Sequence, residues 1–179
     1  WNNEYLGFKV KNFEDLTVVI VTYRTDKNIL FKCIDSINNE IQIILVENGN
    51  DRTLKQEIEN RYKNVKVILS EKNLGYGGGN NLGYEHNKTR YFFVSNPDTI
   101  YPKDFFNQIK NYINKDIEFS IIGASYPNHD NYLSYGGFSN ESTEKLKVLD
   151  YNDDNLKRVD WVVGCSVLID LHNLKTDHL

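Results

Sequence analysis

Four polar segments of this chain bring together carboxylates, side-chain amides and glycines. Each follows an apolar run that predicts a buried strand, and ligands of open α/β sheets bind at the carboxyl ends of the strands. Any one segment could be an ordinary turn, but four at one edge of a sheet would be unusual for a purely structural domain. The segments are Thr22-Tyr23-Arg24, Glu47 to Asp51, Asn73 to Asn81, and Asn96-Pro97-Asp98-Thr99.

Asp98 is the candidate ligand of a divalent cation. Its segment closes a predicted strand with a carboxylate beside the rigid Pro97. Hard cations prefer oxygen ligands and keep phosphate and water in their shell, so one or two protein ligands are enough. Such an ion would neutralise the charge on a departing diphosphate. Taken alone, however, the segment is better explained as a type I turn.

Glu47 and the glycine-rich segment could form the walls of a pocket. The Glu47 carboxylate could accept hydrogen bonds from a base imide or a ribose hydroxyl, although a plain turn residue explains it equally well. Glycines let backbone N–H groups approach a ligand, and the amides of Asn80 and Asn81 can read the edge of a base. We therefore predict a ligand-binding loop from Asn73 to Asn81. It has neither the Gly-Lys-Ser/Thr ending of a phosphate-binding loop nor the Rossmann spacing.

Alternating strands and helices must position these segments. Nearly continuous β-branched apolar runs predict strands buried on both faces, as in a parallel sheet, and helical repeats between them complete a βαβ pattern. We predict an α/β fold with a mostly parallel sheet flanked by helices, plus a small antiparallel or inserted region. The predicted strands are Leu16 to Val21, Ile41 to Val46, Val65 to Leu69, Tyr91 to Val94 and Phe119 to Gly123. The predicted helices contain Leu30, Cys33, Ile34 and Ile37; Leu54, Ile58 and Tyr62; Gly79 to His86; and Phe105, Phe106, Ile109 and Ile113.

The ends of this pattern are less regular. We expect residues 1–15 to form an N-terminal arm or edge strand and residues 16–179 to form one domain. Residues 125–160 are polar, with a Gly136-Gly137 turn, and predict an insertion or hairpin beside a cleft. Val159 to Ile169 is again an apolar, strand-like run. Asn50 or Asp51 is expected to cap the second helix.

Composition excludes several classes of protein. The chain has 179 residues and a formal net charge of −4, so no basic field favours nucleic acid. Cys33 and Cys165 have no paired metal-binding spacing, and we expect two buried thiols in a reducing compartment. The four histidines form no ligand cluster, and no apolar run approaches the length of a membrane span.

Taken in order, the motifs resemble family 2 glycosyltransferases with the GT-A fold. The nearest likeness is to the bacterial rhamnosyltransferase-like branch, which builds surface polysaccharides. The likeness extends over about Leu16 to Ile169, and its four motifs together are specific for the family and the fold, not for the sugar. They are Val18 to Tyr23, Val46 to Gly49, Asn73 to Gly83 and Asn96 to Thr99.

The resemblance implies a role for individual residues. Asp98 would bind Mg or Mn, and Asn96 stands where relatives have the first carboxylate of an Asp-X-Asp motif. Trp161 and Gly164 would border the acceptor site, although Trp161 is equally well explained as a core residue. The residues that would bind the nucleotide-sugar are Thr22, Tyr23, Glu47, Asn73, Gly75, Asn81 and Asn96.

The resemblance also implies an activity. It would be the inverting, metal-dependent transfer of rhamnose or another hexose from a dTDP- or UDP-sugar to a glycan or lipid-linked glycan. The enzyme would act in the cytoplasm, with peripheral association at the inner face of the membrane. The family's general base follows the Trp-Gly segment, so we expect it beyond Leu179 and expect a C-terminally truncated, poorly active domain.

Two other functions remain open from the sequence. A donor-binding or scaffold domain without transfer activity would explain why the chain carries no carboxylate pair after the Trp-Gly segment. A sugar nucleotidyltransferase is the weaker alternative, because such enzymes carry a glycine-rich loop with a basic residue after the first strand. Thr22-Tyr23-Arg24 supplies the basic residue but not the glycines.

Overall fold

A six-stranded sheet with helices packed on it forms the frame of the computed structural model, which describes residues 13–115, 118–127, 133–134 and 159–174. A short 3-10 turn, Phe13–Asp15, leads into the sheet. The strands are β1 Leu16–Thr22, β2 Gln42–Glu47, β3 Val65–Leu69, β4 Tyr91–Ser95, β5 Ile121–Gly123, β6 Tyr126–Pro127, β7 Leu133–Ser134 and β8 Ser166–Asp170. The helices are α1 Lys27–Ser36, α2 Arg52–Arg61, α3 Gly75–Glu85 and α4 Phe105–Ile113.

The central strand β1 is hydrogen-bonded to a parallel strand on each side. It pairs with β2, with Thr22 opposite Glu47, and with β4, with Ile20 opposite Ser95. Every residue of β1 is buried, because its apolar run is covered on both faces. The four predicted strands from Leu16 to Val94 are thus confirmed to within a residue at each end, and their parallel direction is confirmed as well.

The sheet departs from the expected succession of parallel strands after β4. The strand order is β3-β2-β1-β4-β8-β5, and β8 lies antiparallel between β4 and β5. Within the apolar run from Val159 to Ile169, β8 begins only at Ser166, and it ends one residue past the run at Asp170. The segment before β8 passes close to β5, since a Cβ added to Gly123 would lie 2.5 Å from Val162 Cβ.

An ion pair connects β8 to β4 at the end of these strands that lies opposite the predicted site. Arg90 donates from Nε and NH2 to the two carboxylate oxygens of Asp170, at 2.9 and 2.7 Å. Asp170 is 1% exposed and also accepts from the Asn173 side chain. Its carboxylate therefore joins the start of β4 to the end of β8, which is a structural role.

The polar region after β5 contributes one small element to the described structure. Strands β6 and β7 form a two-stranded antiparallel sheet, in agreement with the predicted hairpin region. The Gly136-Gly137 turn and residues 1–12 of the predicted arm lie outside the described residues.

The glycine-rich segment is a helix and not the predicted loop. Helix α3 begins at Gly75, four residues before the short helix that the sequence suggested. Gly79 and Gly83 face β1, where an added Cβ would lie 2.5 Å from Val21 Cγ1 and 2.6 Å from Val19 Cγ1 respectively. Glycine is a poor helix former, but here it permits a close approach between helix and sheet that no other residue allows. The packing of α3 against β1 therefore outweighs the low helix propensity of its glycines.

We expect Gly83→Ala to destabilise the fold by about 1–3 kcal/mol, because its methyl group would overlap Val19. The matched control is Gly77→Ala in the same helix, where an added Cβ meets no atom within 4 Å. That change should stabilise the protein by about 0.5 kcal/mol, since alanine is the better helix former. Urea unfolding measures both changes. Equal effects of the two substitutions would contradict the packing explanation.

Candidate functional site

The carboxyl ends of β1, β2 and β3 open into a cavity of about 370 Å³. Tyr23, Glu47 and Asn73, three of the predicted binding residues, line it together. A cavity of this size falls in the range of small-molecule sites, and it lies where the sequence predicted one. The other lining residues are Arg24, Thr25, Lys27, Asn48, Gly49, Asp51, Leu54, Glu71 and Lys72.

Glu47 holds the turn that forms one wall of the cavity. The residue is 2% exposed, and its two carboxylate oxygens accept from the backbone N–H groups of Gly49 at 2.9 Å and Asp51 at 2.6 Å. Asp51 in turn caps α2 by accepting from Leu54 N at 2.9 Å, as predicted. The turn role of Glu47 is therefore observed, and its contact with a base or ribose stays a prediction.

The turn after β1 places an aromatic ring and a cation at the cavity. Arg24 has a φ of 54°, a left-handed conformation that is uncommon for residues other than glycine. Its guanidinium lies 5.2 Å from the centroid of the Tyr23 ring, and the residue Tyr23 is 42% exposed. Thr22 is buried below them, and its hydroxyl donates to Thr25 Oγ1 at 2.9 Å. Arg24 was not among the binding residues predicted from the sequence.

Asn73 and Gly75 shape the start of α3. Asn73 Oδ1 accepts from the Gly75 N–H at 2.9 Å, and Gly75 has a φ of 71° that favours glycine. Asn48 Nδ2 donates to the Gly75 carbonyl at 3.1 Å, so β2 and α3 are joined at the cavity. Asn48 Oδ1 is buried and has no partner among the described residues. Asn81 lies farther along α3 and does not line the cavity that the described residues form.

The Asn96–Thr99 segment forms a turn at the end of β4, separate from the cavity walls. Thr99 N donates to Asn96 O at 3.4 Å, which matches the turn that the sequence favoured. Asn96 is half-buried and Asp98 is exposed. The described residues contain no group of three or more His, Cys, Asp or Glu side chains that could hold a metal. One carboxylate and one amide suit a hard cation whose other ligands are phosphate oxygens and water.

The segment before β8 contacts both of these regions. The Tyr76 hydroxyl at the start of α3 donates to the Gly164 carbonyl, and the Asn96 N–H donates to the Cys165 carbonyl at 3.1 Å. Trp161 is half-buried and Gly164 is exposed. Gly164, one of the two predicted acceptor-side residues, therefore lies beside α3, and its neighbour Cys165 contacts the Asn96 turn. Tyr76 was missed from the sequence because nothing in its spacing points to Gly164.

A buried thiol lies under the Asn96 turn. Cys33 is fully buried, and burial raises the pKa of its thiol to about 11, with the nearby Asp98 carboxylate adding to the shift. The protonated thiol donates to Asn96 O at 3.4 Å. Both cysteines are free, but Cys165 is only half-buried, in contrast to the two buried thiols that were expected.

We expect iodoacetamide at about pH 8 to modify Cys165 in the folded protein and to leave Cys33 intact, because alkylation needs an accessible thiolate. Mass spectrometry of the digested protein measures the modified fraction at each position. In urea both thiols should react, which serves as the control. Equal rates at the two cysteines in the folded protein would contradict the structure.

Comparison with known proteins gives this site a context. The chain matches the family described as Glycosyl transferase family 2 over residues 17–166. It is 26% identical over 165 residues to the low-salt glycan biosynthesis hexosyltransferase Agl10 of Haloferax volcanii, a match that covers 87% of this chain and 52% of that protein. The chain thus spans about half the length of this curated relative. No helix of the described residues is both long and apolar enough to cross a membrane.

Two solved structures share the fold. Mannosyltransferase PcManGT from Pyrobaculum calidifontis, in complex with GDP-Man and Mn2+, aligns with a TM-score of 0.59 at 10% identity, over 87% of this chain and 44% of that chain. S. aureus TarS 1–349, in complex with UDP-GlcNAc, aligns with a TM-score of 0.52 at 19% identity, over 61% and 33%. These likenesses confirm the predicted GT-A fold. The family match covers most of the chain, and the chain belongs to glycosyl transferase family 2.

Proposed function

We propose that this domain binds a nucleoside-diphosphate sugar and a divalent metal for inverting transfer of the sugar to a glycan or lipid-linked glycan. The observation that carries the proposal is the juxtaposition of the cavity at the ends of β1 to β3 with the Asn96–Thr99 turn at the end of β4. Both lie at one edge of the sheet, since β1 and β4 are parallel neighbours. Surface polysaccharide synthesis in the cytoplasm, at the inner face of the membrane, is the setting that the family resemblance suggests.

The nucleoside is proposed to occupy the cavity. Tyr23 offers an exposed aromatic face for a base, and the Asn73 side chain and the rigid turn held by Glu47 supply polar walls. Thr22 and Gly75 support these walls through hydrogen bonds with Thr25 and Asn48. Asn81, farther along α3, is proposed to contact the nucleotide-sugar outside the cavity walls. The cavity carries Arg24, Lys27 and Lys72 as cations, although Lys27 is already paired with Glu57 at 2.6 Å.

The diphosphate is proposed to extend from the cavity toward Asp98. A bound Mg or Mn would neutralise the charge that develops on the leaving diphosphate. Asp98 would hold that ion, and Asn96 would contact ribose or a metal-bound water. Trp161 and Gly164 would border the acceptor. The proposed donor is a dTDP- or UDP-sugar that carries rhamnose or another hexose. The relative from Haloferax volcanii is named a hexosyltransferase, which supports a hexose as the transferred sugar.

Calorimetric titration with UDP, dTDP and GDP, with and without Mn2+, tests the donor site. We expect Mn2+ to tighten binding of the preferred nucleotide, and Asp98→Ala to weaken that metal-supported binding at least about tenfold, because a charged ligand is lost. Asp104→Ala is the matched control, since Asp104 is exposed and its side chain makes no helix-capping bond. If none of the nucleotides binds, the proposed function fails.

Glu47→Gln should weaken nucleotide binding and lower stability by about 1–3 kcal/mol, because the amide NH2 would face a backbone N–H donor. Both carboxylate oxygens of Glu47 accept such donors, so neither orientation of the glutamine avoids the mismatch. Calorimetry and urea unfolding measure the two effects. Glu85→Gln at the exposed end of α3 is the control. Unchanged affinity and stability in Glu47→Gln would refute its role in the wall.

A further inference from the structure

The turn that carries Asp98 is closed into a loop by a side chain. Tyr101 follows the turn, and its hydroxyl donates to Ser95 Oγ at 2.7 Å, back at the last residue of β4. Asp98 lies midway between these two residues in the sequence. Both ends of the loop are therefore held by one hydrogen bond, while the exposed carboxylate occupies its tip.

The hydrogen bond continues into the turn itself. Ser95 Oγ accepts from Tyr101 and donates to the Asn96 carbonyl at 3.0 Å. The same carbonyl accepts from Cys33 Sγ at 3.4 Å and from the Thr99 N–H at 3.4 Å. Linked donors and acceptors of this kind strengthen one another in a buried site. The orientation of the Asn96 peptide thus depends on the Tyr101 hydroxyl through Ser95.

The hydrogen-bond network also connects the turn to β8. The Tyr101 hydroxyl lies 3.1 Å from Ser166 Oγ, the first residue of β8. Ser95 and Ser166 are direct partners in the antiparallel pairing of β4 and β8. The hydroxyl therefore lies at the last residue pair of the β4–β8 pairing, where the turn begins.

The Tyr101 ring is fixed by aromatic packing. Its centroid lies 4.7 Å from that of Phe105, 5.1 Å from that of Phe106 and 5.8 Å from that of Phe93. The residue is only 6% exposed, and its N–H donates to Ser36 Oγ at 3.1 Å. Burial also raises the pKa of the hydroxyl, which keeps it protonated as a donor. A side chain this buried can affect the turn through the residues that it contacts.

We propose that Tyr101 is a positioning residue that holds the Asn96–Thr99 turn in the geometry that binds the metal and the diphosphate. The inference rests on the proposed function of that turn. Without the hydroxyl, Ser95 loses its donor and Ser166 loses its bridge to the turn, so the Asn96 peptide and the Asp98 carboxylate sample a wider range of positions. A small displacement of a binding group is enough to reduce affinity or rate severalfold or more.

Tyr101→Phe removes the hydroxyl and keeps the aromatic packing, so it is the first variant to test. We expect Mn2+ affinity, measured calorimetrically at a saturating concentration of whichever of UDP, dTDP or GDP binds the wild type most tightly, to fall about tenfold. Tyr62→Phe is the matched control, since it removes a hydroxyl that donates to Asp35 at 2.8 Å, outside the site. Ser166→Ala is a second variant and should weaken Mn2+ in the same direction.

Repeating the substitution in the Asp98→Ala background separates positioning from general stability. If Tyr101 acts through Asp98, Tyr101→Phe should no longer change residual Mn2+ affinity there, while its loss of stability to urea should persist. The proposal is supported by a tenfold loss in the wild-type background that disappears in Asp98→Ala. It is overturned if Tyr101→Phe, or Ser166→Ala should Tyr101→Phe not fold, binds Mn2+ as the wild type does.

The outcomes also separate this inference from the proposed function. If the wild type binds nucleotide and Mn2+ and Tyr101→Phe binds them equally well, the donor site stands and only the positioning role falls. If the wild type binds no nucleotide, with or without Mn2+, the donor site fails and the positioning role fails with it.

Discussion

The parallel hydrogen bonding of β1 on both sides is the constraint on which the site depends. Since β2 and β4 run in the same direction as β1, the residues that follow all three strands are delivered to one edge of the sheet. β3 extends the same alignment on the far side of β2. The pairing of the strands is enough to place the polar side chains at these strand ends close together. The side chains below the edge are apolar and buried, which keeps the frame rigid.

The strand positions could be predicted because they follow from local chemistry. Apolar, β-branched runs such as Leu16 to Val21 have few alternatives to a buried strand, and the predicted helix positions of Leu30 and Cys33 follow from their spacing. The direction of β8 could not be predicted in this way, since an apolar run has the same composition whether it pairs parallel or antiparallel. Its place between β4 and β5 depends on contacts with residues far away in the sequence.

The sequence predicted where the candidate site lies in the fold, but not the contacts that shape it. Tyr23, Glu47 and Asn73 line one cavity because the strand ends converge, as expected. The glycine segment was expected to be a ligand-binding loop because glycines let backbone N–H groups approach a ligand, but close packing on Val19 and Val21 makes it a helix. The links from Tyr76 to Gly164 and from Tyr101 to Ser166 were beyond prediction, because hydrogen bonds between distant residues leave no local pattern in a sequence.

The position of β8 has a consequence for the order in which the domain folds. The strands β1, β2 and β3 form from one continuous stretch of chain, so the walls of the cavity involve short loops. The Tyr101–Ser166 contact joins residues 65 positions apart, and closing so long a loop costs more conformational entropy than closing the short connections. We therefore expect the cavity at the ends of β1 to β3 to form early and the Asp98 turn to become ordered only when β8 docks. During synthesis of the chain, the cavity and the Asp98 turn would therefore reach their folded structures at different times.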